Sequence, residues 1–231
     1  MRTRTRSAAP KATAEPAASP RAAAASDRHP PLVRDPELLN VRRPFTVDAY
    51  HRMAEVGVIG PDERTELLDG EVVDKMTISS RHAGCVNRLT SLLGRLVRGR
   101  AVVAVQNPIR LDDHSEPEPD VAVLRPRDDF YGDAHATPAD VLWLVEVADT
   151  TLRLDRTVKL PLCAAAGIAE VWLVDIVAET LEVHREPDAA DFRSMRRHGR
   201  GKAVAPAAFA DVVVDVAAVL GPADGAPPAH P

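Results

Sequence analysis

Three ionisable residues, Asp120, Glu146 and Lys159, have the types and surroundings that metal-dependent hydrolysis requires. Asp120 precedes the apolar run 121–124, and Glu146 lies inside the apolar run 141–147. A carboxylate within an apolar strand loses hydration, which is costly unless a partner or a metal compensates. Two carboxylates on neighbouring strands, together with a lysine, can hold a divalent metal and steady an attacked phosphate.

Each of these residues also has a purely structural interpretation. Asp120 could simply begin a strand, and Glu146 could pair with an arginine. Lys159 could form a helix-surface pair with Asp155, four residues earlier. Pro161 removes a backbone donor from the same predicted helix, which leaves the reach of Lys159 open. The two acids taken together favour a metal pair, whereas Lys159 alone favours the surface ion pair.

The elements that must position these residues predict an α/β domain, in which helices flank a central mixed β-sheet and a β-hairpin precedes it. Capping and periodicity predict helices at 46–56, 79–97 and 153–166, with a hairpin turn at Asp69-Gly70. Strands are expected at 101–111, 120–124, 141–147, 170–176, 180–185, 192–198 and 212–214. The unit 141–176 is expected to be a strand-helix-strand crossover with parallel strands.

Composition divides the chain into one domain and two tails. We predict a disordered Ala/Pro/Arg-rich tail at 1–40, a globular domain at 41–220 and a flexible tail at 221–231. The net charge is −5, but residues 1–30 carry six Lys/Arg against two Asp/Glu, so the remainder carries 23 against 32, or −9. An acidic body argues against broad nucleic-acid binding, but not against a metal site that acts on a phosphodiester.

The remaining composition indicates a cytoplasmic protein without a membrane partner. Two distant cysteines, Cys85 and Cys163, exclude a paired-cysteine zinc site and a disulfide framework. No apolar run reaches the length of a membrane-spanning helix, and the basic N-terminus lacks a secretory apolar region. No metal-ligand spacing in the sequence relates His51, His114 and His135.

A series of short motifs runs through the predicted domain: Glu66 to Glu71, His82, Pro119-Asp120, Leu144 to Val147, Asp155 with Lys159, and Gly167 to Asp175. Together these motifs resemble the Uma-two family, which belongs to the PD-(D/E)XK nuclease superfamily. The resemblance spans roughly residues 43–215. It implies a restriction endonuclease-like fold, a Mg²⁺-dependent phosphodiesterase site in which Mn²⁺ can substitute, and DNA as the partner. A homodimer would supply the two sites that double-strand cleavage needs.

The resemblance also implies roles for individual residues. Asp120 and Glu146 match the two metal-binding acids. The superfamily's usual lysine position is Ala148 here, and Lys159 matches a lysine that the following helix supplies instead. The family often has a serine at position 148, and a tyrosine where this chain has Cys163.

Further residues are assigned to the same pocket. Glu66 or Glu71 matches an additional acid, and Gln106 is expected to line the site. His82 could carry a proton or contact a phosphate from its helix start. The plainer interpretation of His82, as a surface or supporting residue, is slightly favoured.

Three functions follow as hypotheses. The first is a metal-dependent DNA endonuclease that hydrolyses phosphodiester bonds with a Mg²⁺-activated water. The second is a catalytically inactive binding or assembly module with a nuclease fold, which the acidic body and the missing lysine at position 148 favour. The third is a metallohydrolase that acts on a small phosphoester at the same site.

Overall fold

A six-stranded mixed β-sheet organises the part of the chain that the computed structural model describes, residues 43–223. The strands are β1 Thr65–Leu68, β2 Glu71–Asp74, β3 Val102–Val105, β4 Val121–Leu124, β5 Val141–Ala148, β6 Glu170–Asp175, β7 Thr180–Pro187, β8 Phe192–Gly199, β9 Ala203–Val204 and β10 Val214–Asp215. The helices are α1 Val47–Glu55, α2 Ser80–Leu96, α3 (the consecutive segments Leu152–Leu154, Asp155–Lys159 and Leu160–Ala165) and α4 Val216–Leu220. The predicted tail at 1–40 lies outside the described residues, as do all but the first three residues of the predicted tail at 221–231.

Strands β3 to β8 lie side by side in chain order within the main sheet. All neighbouring pairs are antiparallel except β5 and β6, which run parallel. Helix α3 connects these two strands, as a parallel pair requires a long crossover. The hairpin β1–β2 and the ribbon β9–β10 form two further small sheets. The predicted α/β class, mixed sheet, hairpin and parallel crossover are therefore confirmed.

Helices cover both faces of the main sheet. Successive strand side chains point to opposite faces, so Trp143 and Val145 of β5 enter a core shared with α2. Leu144 and Ala148 enter a second core, shared with α3. Glu146 occupies the intervening position on the α3 side. The alternation therefore directs the single carboxylate of this strand toward α3.

Side-chain caps start the first two helices at the predicted places. Thr46 Oγ1 accepts the Ala49 N–H at 3.1 Å, and Ser79 Oγ accepts the His82 N–H at 3.1 Å. Each cap satisfies a backbone donor that the first helical turn leaves without a partner. The second cap matters for the site, because it holds His82 in the first turn of α2.

Helix α3 has a π-helical turn at Asp155–Lys159, which ends two residues before Pro161. In a regular α-helix, the ring of Pro161 would clash with the carbonyl four residues earlier. The wider turn, in which the Leu160 N–H bonds to the Asp155 carbonyl, accommodates the proline without ending the helix. The predicted helix at 153–166 is confirmed, and Pro161 changes its geometry rather than its continuity.

Two predicted strands are wrong in extent. The strand predicted at 101–111 ends at Val105, because Gln106 adopts a positive φ of 52° and Pro108 cannot donate to a ladder. At 212–214 only Val214 belongs to a strand, and that strand pairs with β9, which the sequence did not indicate. Helix α4 was also not predicted. None of the helices in the described part is both long and apolar enough to cross a membrane.

We predict that Gly70→Ala destabilises the fold by roughly 1–3 kcal/mol. Gly70 has a φ of +74° in the β1–β2 turn, and a methyl group there would overlap Pro44. The matched control is Gly94→Ala, since Gly94 is an exposed α2 residue whose added methyl group meets no atom within 4 Å. Gly94→Ala should stabilise the protein by up to about 1 kcal/mol. Urea denaturation measures both changes, and a Gly70→Ala midpoint equal to the wild type would contradict the turn geometry.

Candidate active site

The register between β4 and β5 brings Asp120 and Glu146 together. Val121 pairs with Val145, so Asp120, one residue before β4, lies opposite Glu146. The Asp120 N–H lies 3.3 Å from Glu146 Oε2, and the Val147 N–H donates to Asp120 Oδ2 at 2.9 Å. Both carboxyl groups therefore face one small region at the end of this strand pair.

Lys159 reaches the same region from the π-helical turn of α3. Its Nζ lies 3.3 Å from Glu146 Oε1 and 3.1 Å from Glu66 Oε1. The surface pair with Asp155 is not the arrangement found, because the Asp155 carboxylate accepts the Thr151 hydroxyl at 2.7 Å. Lys159 is buried, so its charge depends on these carboxylates rather than on water.

These side chains line a cleft of ≈ 150 Å³. The cleft contains seven carboxylates, those of Glu66, Asp74, Glu118, Asp120, Glu146, Asp149 and Asp155. Its cationic side chains are Arg64, Lys75 and Lys159. The acids outnumber these cations by more than two to one, so the cleft attracts positive charge.

His82 and Gln106 support the Asp120 carboxylate. His82 Nε2 lies 3.0 Å from Asp120 Oδ2, and Gln106 Nε2 lies 3.3 Å from Asp120 Oδ1. Burial alone would raise the pKa of Asp120, but the hydrogen bond and charge of His82, with the Val147 and Gln106 donors, lower it. The hydrogen bond to Asp120 raises the pKa of His82 in return. Asp120 is therefore ionised at neutral pH.

Burial raises the pKa of Glu146 to about 8, and the nearby charge of Lys159 only partly opposes this. Burial would lower the pKa of Lys159, but the carboxylates of Glu146, Glu66 and Asp155 outweigh it and raise that pKa. Lys159 thus stays an ammonium, while Glu146 titrates near neutral pH. A group with such a perturbed pKa in a cleft is a candidate for chemistry.

The donor set suits a hard divalent cation. Mg²⁺ takes oxygen ligands and is commonly held by one or two carboxylates with waters. The contacts of Asp120 Oδ1 with Gln106, and of Glu146 with Lys159 and the Asp120 N–H, are each 3.3 Å long. Contacts beyond about 3.2 Å are weaker than ordinary hydrogen bonds. Both carboxylates therefore keep acceptor capacity for a metal ion.

Of the two upstream acids, Glu66 is the one at the site. Glu66 is buried in β1, where it contacts Lys159 and accepts the Glu118 N–H at 3.1 Å. Glu71 is exposed in β2 and does not line the cleft. The structure thus brings together Asp120, Glu146, Lys159, Glu66 and His82, and their chemical roles stay predictions.

Two supporting pairs at the cleft were missed from the sequence. Ser79 Oγ donates to Asp149 Oδ2 at 2.6 Å, and Lys75 Nζ donates to Glu118 Oε2 at 2.9 Å. Ser79 was assigned only as a helix cap, and Asp149 follows the β5 run without a motif of its own. The partners in each pair are separated by 70 and 43 residues, so no local pattern relates them.

A family model matches residues 47–217, which is most of the chain. Its name is Uma2 and its description is "Putative restriction endonuclease". The chain belongs to the Uma2 family. The family assignment confirms the resemblance that the motifs indicated, and the family's description suggests a nuclease.

A solved structure shares the fold. It is described as the "crystal structure of a putative nuclease belonging to DUF820" from Anabaena variabilis. It matches with a TM-score of 0.60 and 16% sequence identity, over 77% of this chain and 98% of its own. No curated protein matches the chain. The restriction endonuclease-like fold of the Uma2 family is thereby confirmed.

We predict that Mg²⁺ binding releases a proton from Glu146 at pH 7. Its pKa of about 8 means that the carboxyl group is mostly protonated there, and a metal ligand must be ionised. The affinity should therefore rise about tenfold per pH unit up to pH 8 and then level off. Calorimetric titration in buffers of different ionisation enthalpy measures the released proton.

Glu146→Gln should abolish both the proton release and most of the Mg²⁺ affinity. Glu170→Gln is the matched control, because Glu170 is a buried β6 carboxylate that does not line the cleft. An Mg²⁺ affinity that is constant between pH 6 and pH 8 would count against Glu146 as a ligand.

We predict that Lys159→Met destabilises the protein by roughly 3–5 kcal/mol at pH 8, because Glu66 and Glu146 would be left buried without their cation. A buried carboxyl whose pKa is raised in the folded state loses stability as pH rises toward that pKa. The deficit should therefore shrink at pH 5. Denaturant unfolding at both pH values measures it. Lys75→Met is the control, because Glu118, the partner of Lys75, is more exposed. This variant should lose less stability, and its loss should change less with pH. An equal loss and an equal pH dependence in the two variants would refute the prediction.

Proposed function

We propose that this protein is a metal-dependent endonuclease that hydrolyses phosphodiester bonds in DNA. The observation that carries the proposal is the convergence of Lys159 with Asp120 and Glu146 in one cleft. Three such groups, one directly before β4, one in β5 and one in α3, would supply the ligands and the counter-charge that phosphodiester hydrolysis needs. The membership in the Uma2 family supports the same class of reaction.

Asp120 and Glu146 would hold the Mg²⁺ ion, with Mn²⁺ as a substitute. When bound, Mg²⁺ supplies Lewis-acid chemistry, since it polarises a phosphodiester oxygen and lowers the pKa of a water. His82 and the Val147 N–H fix the Asp120 carboxylate in the orientation that a ligand requires. His82 is thus a positioning residue in this proposal.

In this proposal Lys159 supplies a positive charge and does not bind the metal ion. Its ammonium stays protonated beside Glu146 and Glu66, in the same cleft as the two metal ligands. A fixed positive charge at this place stabilises the negative charge that develops on an attacked phosphate. The π-helical turn places Lys159 there. Lys159 would thus take the part of the lysine that the superfamily usually has at the position of Ala148.

The proposal is tested by nicking of supercoiled plasmid with Mg²⁺ or Mn²⁺. We expect activity that a chelator abolishes, and losses of roughly 10²–10³-fold or more for Asp120→Asn, Glu146→Gln and Lys159→Met. Glu170→Gln, a buried acid outside the cleft, should cleave at the wild-type rate. Equal cleavage by the wild type and Asp120→Asn would refute the assignment of the site.

A metallohydrolase for a small phosphoester is the second candidate, and the cleft itself favours it. The cleft is small, and its carboxylates outnumber its cations, which suits a compact substrate better than a polyanion. Measuring the hydrolysis of bis(p-nitrophenyl) phosphate and of plasmid DNA with the same metal ion distinguishes the two candidate functions. Turnover of the small ester alone favours the second candidate, whereas metal binding without turnover of either favours an inactive module.

A further inference from the structure

A second cluster of metal-ligating side chains lies outside the acidic cleft. It consists of His51 from α1, Glu116 from the segment before β4, and His135 from the loop before β5. Ligand atoms of the three residues all lie within 4.8 Å of one another. None of the three lines the cleft that contains Asp120 and Glu146.

The Glu116 carboxylate provides an independent sign that this cluster binds a ligand. Its side chain is only 2% exposed, and one oxygen, Oε1, lies 2.6 Å from His51 Nε2. The other oxygen, Oε2, is buried and has no hydrogen-bond partner. A buried carboxylate oxygen without a partner is costly. A cation bound by both oxygens of the Glu116 carboxylate would satisfy it.

Backbone contacts hold all three ligands in place. His51 lies within α1, and the Glu116 N–H donates to the Leu67 carbonyl of β1 at 2.8 Å. His135 directly precedes Ala136, whose carbonyl accepts the Arg110 N–H at 2.9 Å. Side chains on such anchored segments lose little further freedom when they bind an ion. The cluster is therefore largely preorganised.

The donor set indicates the class of metal. Two imidazoles and one carboxylate suit Zn²⁺ and related transition ions, whereas Mg²⁺ prefers oxygen ligands alone. Zn²⁺ bonds of about 2.0–2.2 Å at tetrahedral angles separate the donor atoms by about 3.3 Å. His51 Nε2 and Glu116 Oε1, 2.6 Å apart, would separate by about 0.7 Å, and the donor atoms of the cluster, which lie within 4.8 Å of one another, would approach by up to about 1.5 Å to bind the ion.

We propose that His51, Glu116 and His135 form a zinc site, with three protein ligands and a fourth position open to water. The ion links α1, the segment that leads to Asp120, and the loop before β5. Glu116 lies two residues before Glu118, whose N–H donates to Glu66 at the acidic cleft. The site therefore fixes the position of the segment from which the cleft receives Asp120.

The test uses the full chain without a histidine tag, and measures Zn²⁺ stoichiometry by calorimetry together with thermal unfolding. We expect one equivalent of Zn²⁺ at this cluster and a rise in Tm of about 5–10 °C at a zinc concentration 100 times the Kd. His135→Gln changes an exposed residue and should lower the affinity at least tenfold, as should His51→Gln. Co²⁺ in place of Zn²⁺ should give visible absorption that both variants lose.

Two controls separate this site from its surroundings. His114→Gln alters a half-buried histidine that lies two residues before Glu116 and contacts the Phe45 carbonyl, and this variant should bind Zn²⁺ as the wild type does. Asp120→Asn disables the acidic cleft and should leave this equivalent of Zn²⁺ in place. The proposal is overturned if the wild type binds no Zn²⁺, or if His51→Gln and His135→Gln retain the full stoichiometry, affinity and Co²⁺ spectrum.

Discussion

The buried ammonium of Lys159 is the interaction on which the site depends. It lies between Glu66 of β1 and Glu146 of β5, so a single cation joins the hairpin, the central sheet and α3. Removing an ammonium and its carboxyl partners from water is costly, and only good geometry compensates. The π-helical turn before Pro161 supplies that geometry, because it carries Lys159 on a wider turn toward the sheet. The stability of the fold and the proposed chemistry thus depend on the same contact.

The segment before β4 distributes three acids to three different basic side chains. Glu116 contacts His51, Glu118 contacts Lys75, and Asp120 contacts His82. One stretch of extended backbone therefore contributes both to the acidic cleft and to the histidine cluster. The two places differ in chemistry, since oxygen donors prevail in the first and imidazoles in the second. The two proposed sites would therefore select different kinds of metal ion.

Local signals predicted much of the fold. The Asp69-Gly70 turn, the caps at Thr46 and Ser79, and the continuous apolar run of β5 each act within a few residues, and each was predicted correctly. The predictions failed where a distant contact decides the outcome. Residues 106–111 look like a strand, but Gln106 turns its backbone to meet Asp120. The ribbon of β9 and β10 exists only because two segments of two residues each pair across a loop.

The sequence by itself determined that Glu146 stands within a buried strand, that Asp120 stands at the start of another strand, and that Lys159 follows in a helix. Hydrophobic patterning carries that information, because it reports what lies within a few residues along the chain. Only the tertiary structure decided that Lys159 contacts Glu66 and Glu146, and that His51 meets Glu116 across 65 residues. Such contacts depend on strand register and loop path, which no spacing along the chain encodes.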